Sequence, residues 1–444
     1  MLLKSFQTEV REVARRPAAD YFTIMTDPTA PLTDLALAAP RFDWRRFVFV
    51  AGPGVVVMLA DTDAGSLITA AQSGAQWGYR LILLQLALVP ILYLVQELTV
   101  RLGIVSGKGH AQMIREQFGA AWAWVSVGTL ALSCLGALLT EFSGLAGVGS
   151  LFGVPPPVTL AVVVVLLLAM AITHRYLTVE RIAITVGLFE LVFLLVAWLA
   201  HPDLAELASG AVSIPITDSK YLYLASANIG AVIMPWMVFF QQASVVERGL
   251  TRADLPAARL DTALGAVVTQ LVMAAALIAT AATLGHKSGD QSLDTVQQIA
   301  EALTPSLGEF GGRLLFGLGM VGASLVATIV VSLTAARAVA EALGAPNRLD
   351  HKIGDAKWFY GAYAAALIVG AGIVASGADL VALSVAVQVM NALLLPIVVG
   401  FLFLLARRLP EPYRLQGTYG LLAATLTALV VAFGVVSGIA GIFN

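Results

Sequence analysis

Two carboxylates, Asp61 and Asp63, stand in the middle of an apolar run, in Asp61-Thr62-Asp63-Ala64-Gly65-Ser66. A charged side chain at the centre of a membrane-crossing helix costs roughly 3 kcal/mol even on a lenient insertion scale, so two together require a neutralising partner. Away from their ends the other apolar runs hold almost no lysine or arginine. A bound cation therefore explains the pair better than a structural ion pair. On a regular helix, residues two apart point in nearly opposite directions. An unwound segment would let both carboxylates reach one cavity. The complementary feature is Ala231-Val232-Ile233-Met234-Pro235-Trp236, where Pro235 cannot donate a backbone hydrogen bond and frees a carbonyl one turn earlier, in the region of Ala231. A carbonyl beside a carboxylate suits hard ions, whereas the Met234 thioether favours softer transition metals.

Other acids inside apolar runs are Glu97, Glu141 and Glu190. Glu97 lies one turn from Arg101 and reads as half of an ion pair at a helix end. Glu141, after Thr140, either carries protons or bonds a neighbour. The histidines, His110, His174, His201, His286 and His351, all fall in loops or at run ends, so no histidine proton relay is expected. Cys134, the one cysteine, excludes an internal disulfide and any multi-cysteine metal site, and reads as a buried small hydrophobe.

What must position these residues is a bundle of membrane-spanning helices. The 444 residues are 59% hydrophobic and 12% charged, with mean hydropathy +0.86. Soluble domains carry about 25% charged residues, so lipid must be the main solvent. The apolar runs are continuous, not alternating, which excludes a β-barrel. Eleven spans are expected: Arg46–Ala75, Tyr79–Val100, Ala121–Leu151, Val158–Ile172, Ile182–Leu199, Leu222–Val246, Leu260–Leu284, Leu314–Leu333, Trp358–Ala375, Leu380–Leu405 and Tyr419–Phe443. With the amino terminus inside, the inner segments hold 22 lysines and arginines and the outer ones hold 4, which accounts for all 26. That asymmetry puts the amino terminus in the cytoplasm and the carboxyl terminus outside the plasma (inner) membrane. Residues 1–46 read as a cytoplasmic tail, not a cleaved signal peptide.

Interrupted spans one and six, five spans apart, are the mark of an inverted repeat with a site at the bilayer midplane. Residues 47–200 form the first repeat, 201–406 the second, and 407–444 the added eleventh span. Two motif matches carry no chemistry. Gly317 to Gly322 fits a dinucleotide pattern but lies in an apolar span, and Gly103 to Lys108 lacks phosphate-loop spacing. Nucleotide, nucleic acid and prosthetic group are not expected as partners, and no oligomer is required. The net charge of -2 offers no basic face for phosphates. The absence of a nucleophile–base pair argues against an enzyme.

Gly52-Pro53, Asp63 to Thr69, Gly74 to Tyr79, Arg101 to Lys108 and Gly230 to Pro235 together resemble the natural resistance-associated macrophage proteins, metal-ion transporters of the leucine-transporter fold (the amino acid–polyamine–cation superfamily). The resemblance implies a metal site of Asp63, Ser66, Ala231 and Met234. The family's Asp-Pro-Gly-Asn stands here as Asp63-Ala64-Gly65-Ser66, and its Ala-x-x-Met-Pro-His ends in Trp236. Its Asp-Leu-Ala-Glu matches Glu141-Phe142-Ser143-Gly144, so the second acid is gone. A family glutamine aligns with Leu394, although Gln388 and Asn391 lie on the same span. Losing the histidine and the acid implies weakened proton coupling, with Glu141, Trp236 and Gln241 as the groups left in those roles. Ser66 and the additional Asp61 resemble the divergent magnesium-transporting branch, which implies Mg²⁺ and Mn²⁺ as cargo. Two competing readings are a proton-coupled Mn²⁺/Fe²⁺ symporter and an amino-acid transporter of the same fold. Two acids at the site oppose the latter.

Overall fold

With no water in the bilayer core to pair backbone groups, continuous apolar runs fold as helices, and every described segment long enough to cross a membrane is helical. The computed structural model describes residues 53–443 apart from 174–175, 285–292, 294, 304–307, 344, 347, 350 and 378–379. The expected tail, residues 1–46, the start of the expected first span, His174 and His286 lie outside the described residues.

Among the described residues nine helical stretches are long and apolar enough to cross a membrane; the stretch Ala64–Ser106 turns at Gly78–Leu81 into two, and the shorter apolar helix Pro156–Ala171 completes eleven spans. The first is split into Pro53–Asp61 and Ala64–Trp77. It leads through a 3₁₀ turn, Gly78–Leu81, into the second, Ile82–Ser106. The third is Ala120–Leu151 and the fourth the short Pro156–Ala171. The fifth runs from Tyr176–Gly187 through a 3₁₀ turn, Leu188–Leu191, to Val192–Leu199. The sixth is split into Ser219–Val232 and Pro235–Glu247. The remainder are Leu255–Leu284, Glu309–Ala342, Lys357–Ala375, Leu380–Ala406 and Gly417–Phe443. Shorter helices, His110–Phe118, Leu204–Val212 and Val296–Leu303, connect spans.

Both breaks are two residues long, Thr62-Asp63 and Ile233-Met234. A proline alone does not produce one: Pro90 and Pro396 sit inside continuous helices. Prolines are tolerated in a span where neighbours satisfy the freed carbonyl. The broken spans lie at the centre. In the most apolar stretch of the sixth, 89% of residues are buried, against 28% in the fifth and eleventh, which therefore face lipid on most of their surface. The second half of span one packs on spans seven, ten and six, and the first half of span six packs on spans ten and eleven.

Ion pairs gather at the end that carries most of the basic loops. Glu97 is held by Arg101 and, at 2.7 Å, by Arg259 of the seventh span. Arg248, just past the sixth span, pairs with Glu180 of the fifth, and Glu247 pairs with Arg337 of the eighth at 2.7 Å. The expected Glu97–Arg101 pair is thus present, with a second arginine on the same carboxylate. Gly54 N–H donates to Asp261 Oδ2 at 3.0 Å, tying the start of span one to span seven.

Candidate functional site

The first helix stops at Asp61, and Thr62 Oγ1 lies 3.3 and 3.1 Å from the Met58 and Leu59 carbonyls and close to the Glu190 carboxylate, three acceptors for its single proton. Thr269 of the seventh span donates to the Met58 carbonyl at 2.9 Å. The Met58 carbonyl, which also receives the Thr62 N–H at 3.4 Å, thus gains a partner from a neighbouring span. The chain then restarts with Asp63 as the N-cap of the second half, its Oδ1 accepting from the Ser66 N–H at 2.6 Å. Aspartate is a favoured cap because it satisfies an orphan donor and complements the helix dipole. The cap uses one oxygen only. Asp63 Oδ2 is buried and has no hydrogen-bond partner among the described residues.

In the sixth span, the Ala231 carbonyl would accept from residue 235, which is proline, and Ser66 Oγ takes the vacancy by donating to it at 3.0 Å. The two breaks are therefore stitched directly together. Met234 restarts the helix as an N-cap in extended conformation, and its sulfur accepts from the Trp236 indole N–H at 3.2 Å. Trp236 is wholly buried. The thioether is present but engaged, which makes the site harder than the bare residue list implies.

Glu141 reaches the break from span three. Its Oε2 accepts from the Ala64 N–H at 3.2 Å and its Oε1 from the Thr140 hydroxyl at 3.2 Å, which places the carboxyl beside the residue that follows Asp63. The missing family acid has a steric reason. A Cβ on Gly144 would fall 2.6 Å from the Ala64 Cβ and 2.7 Å from the Ser324 Oγ, so no acidic side chain fits there.

Span ten contributes through a relay. Ser133 Oγ donates to Asn391 Oδ1 at 2.8 Å, and Asn391 Nδ2 donates to Gln388 Oε1 at 2.9 Å. The unpartnered Gln388 Nε2 lies directly against Gly65, in the space a Cβ would need. Gln388 thus touches the break, while Asn391 faces span three and orients Gln388. In this arrangement Gln388 presents its amide nitrogen, and a cation would draw in the oxygen only after the amides turn over. Gln241 lies further along span six, buried and without a side-chain partner. Its neighbour Gln242 holds the connection before span three, donating to the Lys108 carbonyl at 2.9 Å and meeting His110 Nδ1 at 2.9 Å.

Glu190 is the residue whose role the sequence leaves unassigned. It sits on the 3₁₀ turn of span five, wholly buried, and accepts a hydrogen bond from the Thr62 hydroxyl at the break, leaving Oε1 unpartnered. Asp61 is 1% exposed and neither of its oxygens has a hydrogen-bond partner among the described residues. Four carboxylate oxygens around the first break, on Asp61, Asp63 and Glu190, are therefore buried without a donor, and no ion pair among the described residues reaches them. No three His, Cys, Asp or Glu among the described residues form a ready-made metal cage. Carbonyl, hydroxyl and amide oxygens have to complete any coordination sphere.

Helices broken in mid-span, with a freed carbonyl and buried carboxylates between them, define a multi-pass membrane transporter of the leucine-transporter fold. MhsT in complex with L-phenylalanine shares that fold, at TM-score 0.60 and 13% identity over 88% of this chain and 98% of the other. So does the Eremococcus coleocola manganese transporter, at TM-score 0.70 and 20% identity over 90% of this chain and 89% of the other. Within the fold, residues 54–440 match the family described as natural resistance-associated macrophage protein-like, and the chain belongs to it. A relative from Pectobacterium carotovorum subsp. carotovorum, a divalent metal cation transporter MntH, is 31% identical over 64% of this chain and 69% of its own length. The relatives in this family are named as transporters, not enzymes.

Proposed function

We propose that the protein imports divalent metal ions, Mn²⁺ and Mg²⁺, by alternating access across the plasma (inner) membrane. One observation carries the reading: the donor-free buried carboxylate oxygens of Asp61, Asp63 and Glu190. A buried carboxylate without donors or a cation pays its full desolvation penalty, so a site built this way is completed by a positive ion. Asp63 is the central ligand through Oδ2. The Ala231 carbonyl joins once Ser66 Oγ turns from it toward the ion, and Gln388 adds its oxygen. Asp61 and Glu190 set the charge of the surroundings. Engagement of the Met234 sulfur by Trp236 lowers the site's preference for soft ions, and the remaining oxygens suit Mg²⁺, which binds oxygen at octahedral geometry and retains water.

The metal moves down its own gradient and the membrane potential, without proton symport. The family's histidine position is filled by Trp236 and its second acid by Gly144, and the polar groups next along span six are Gln241 and Gln242. The seat of Glu141 on the Ala64 N–H, next in sequence to Asp63, favours a second reading, in which Glu141 carries a proton when metal enters. Mn²⁺ uptake into proteoliposomes, with competing Mg²⁺ and a pH dye inside, tests both. The expected result is Mn²⁺ entry inhibited by Mg²⁺ with no change of dye signal under a potassium–valinomycin voltage clamp. Acidification that scales with Mn²⁺ and disappears in Glu141→Gln would replace the first reading by the second. Uptake of labelled amino acids instead of metal would end both, and the acids facing the site oppose a carboxylate substrate.

A further inference from the structure

Beyond the transport site, the turn between spans ten and eleven encloses a cavity of about 450 Å³, lined by Phe403, Arg407, Arg414, Leu415, Gln416 and Leu421 among others. This volume lies within the range of about 300–1,000 Å³ typical of small-molecule sites. Its two sides differ in chemistry. On one, Arg407 is exposed and its side chain has no hydrogen-bond or ion-pair partner among the described residues. Arg414 is held in place by the Leu409 carbonyl at 3.2 Å and by Glu411 at 3.6 Å. The other oxygen of Glu411 accepts from Gln416 at 2.9 Å, so the acid is occupied by groups already there and the cavity keeps a surplus positive charge. On the other side, Leu421 is 70% exposed on a span that buries little of its surface, so the cavity opens toward lipid.

We propose that this cavity binds the headgroup of an anionic phospholipid. A guanidinium pairs with a phosphodiester through two parallel hydrogen bonds, and two arginines bracket one phosphate. The apolar mouth formed by Phe403 and Leu421 then receives the start of the acyl chains, which a soluble anion lacks. The location agrees. The same turn is joined to other basic segments: Arg101 donates to the Tyr413 carbonyl at 3.4 Å, Arg252 stacks on the Tyr413 ring, and Arg408 reaches Gln117. An end so rich in arginine faces the cytoplasmic leaflet, whose surface is negative. A lipid seated here contacts spans ten and eleven together, and span ten carries Gln388.

The test is native mass spectrometry of the full-length protein in detergent, with phosphatidylglycerol or phosphatidylcholine of identical acyl chains added back. The wild type is expected to retain one phosphatidylglycerol with about tenfold preference over phosphatidylcholine, on the basis of about 1 kcal/mol per arginine at a membrane surface, reduced by Glu411. Arg407→Gln, which removes a side chain with no partner among the described residues, is expected to lose most of that preference, and Arg407→Gln with Arg414→Gln all of it. Arg115→Gln, outside the cavity, should leave it unchanged. Equal retention of the two lipids by the wild type, or undiminished preference in the double variant, would overturn the proposal. Displacement of phosphatidylglycerol by excess inorganic phosphate would also overturn it, by showing a site for free anions.

Discussion

Asp63 does two jobs with two oxygens, and a pair of substitutions separates them. Oδ1 caps the second half of span one through the Ser66 N–H at 2.6 Å, while Oδ2 has no partner. An asparagine at this position would keep an amide oxygen for the cap and place an uncharged NH₂ where the cation needs a carboxylate. Asp63→Asn should therefore fold almost as the wild type does and lose metal. Removing a residue that merely orients a ligand costs 10–100-fold in affinity, so loss of the central ligand should exceed roughly 100-fold, about 3 kcal/mol. Asp63→Ala should lose the same affinity and the cap as well. A lost cap costs about 1 kcal/mol, and the buried Ser66 N–H left unpaired adds on the order of 1 kcal/mol or more. Calorimetric Mn²⁺ titration gives the first quantity, and thermal unfolding in detergent, followed by tryptophan fluorescence without metal, gives the second. Wild-type affinity in Asp63→Asn would refute the ligand assignment. Equal destabilisation by the two substitutions would refute the cap argument, because the charge rather than the acceptor would then be what holds the break.

Asp61→Asn should weaken Mg²⁺ binding more than Mn²⁺ binding, because the harder ion depends more on charge; equal losses in competition titrations would return Asp61 to a structural role. Gly230→Ala should destabilise the protein by about 1–3 kcal/mol and depress uptake, since its Cβ would run into the Gln388 carbonyl and lie 2.7 Å from the Ala392 nitrogen, both backbone atoms of span ten. An unfolding midpoint within error of wild type would show that spans six and ten separate freely. His110, in the connection before span three, is held neutral because burial brings its pKa down from 6.5 to about 4. The unfolded chain thus binds the extra proton between those values, and stability should be full above pH 6.5 and fall as pH drops toward 4, by up to about 3 kcal/mol. In His110→Gln that part of the acid sensitivity should vanish; an unchanged pH profile of unfolding would exclude His110 as its source.

The breaks were legible because each contradicts its surroundings: acids and glycine in one apolar run, and Ala-x-x-Met-Pro in another. Proline by itself would have misled, as Pro90 and Pro396 show; what distinguishes Pro235 is that the two residues before it, Ile233 and Met234, are extended. Glu190 was visible as a buried acid but not as part of the site. Its place depends on a 3₁₀ turn in span five and on that span lying against Thr62, a tertiary contact across 128 residues. Gln388 and Asn391 were legible as polar groups on span ten, but only packing separates the one that touches Gly65 from the one that orients it. Gly144 read as a lost acid; the structure adds that Ala64 and Ser324 fill the space that acid would need.

The ion pairs at the basic end join span six to spans five and eight, and span two to span seven. Any motion that admits water from that side has to part some of them. Replacing such a pair by well-packed apolar residues is often neutral or better for stability, so holding the end shut does not by itself call for charges. Separation distinguishes the two designs. Parted arginines and glutamates are solvated at once, whereas parted apolar faces would be left against water and drawn back together. In the alternating-access cycle proposed above, charged contacts at Arg248 and Arg337 would serve as a latch stable in both of its positions, which is what a carrier needs from a door it opens once for every ion.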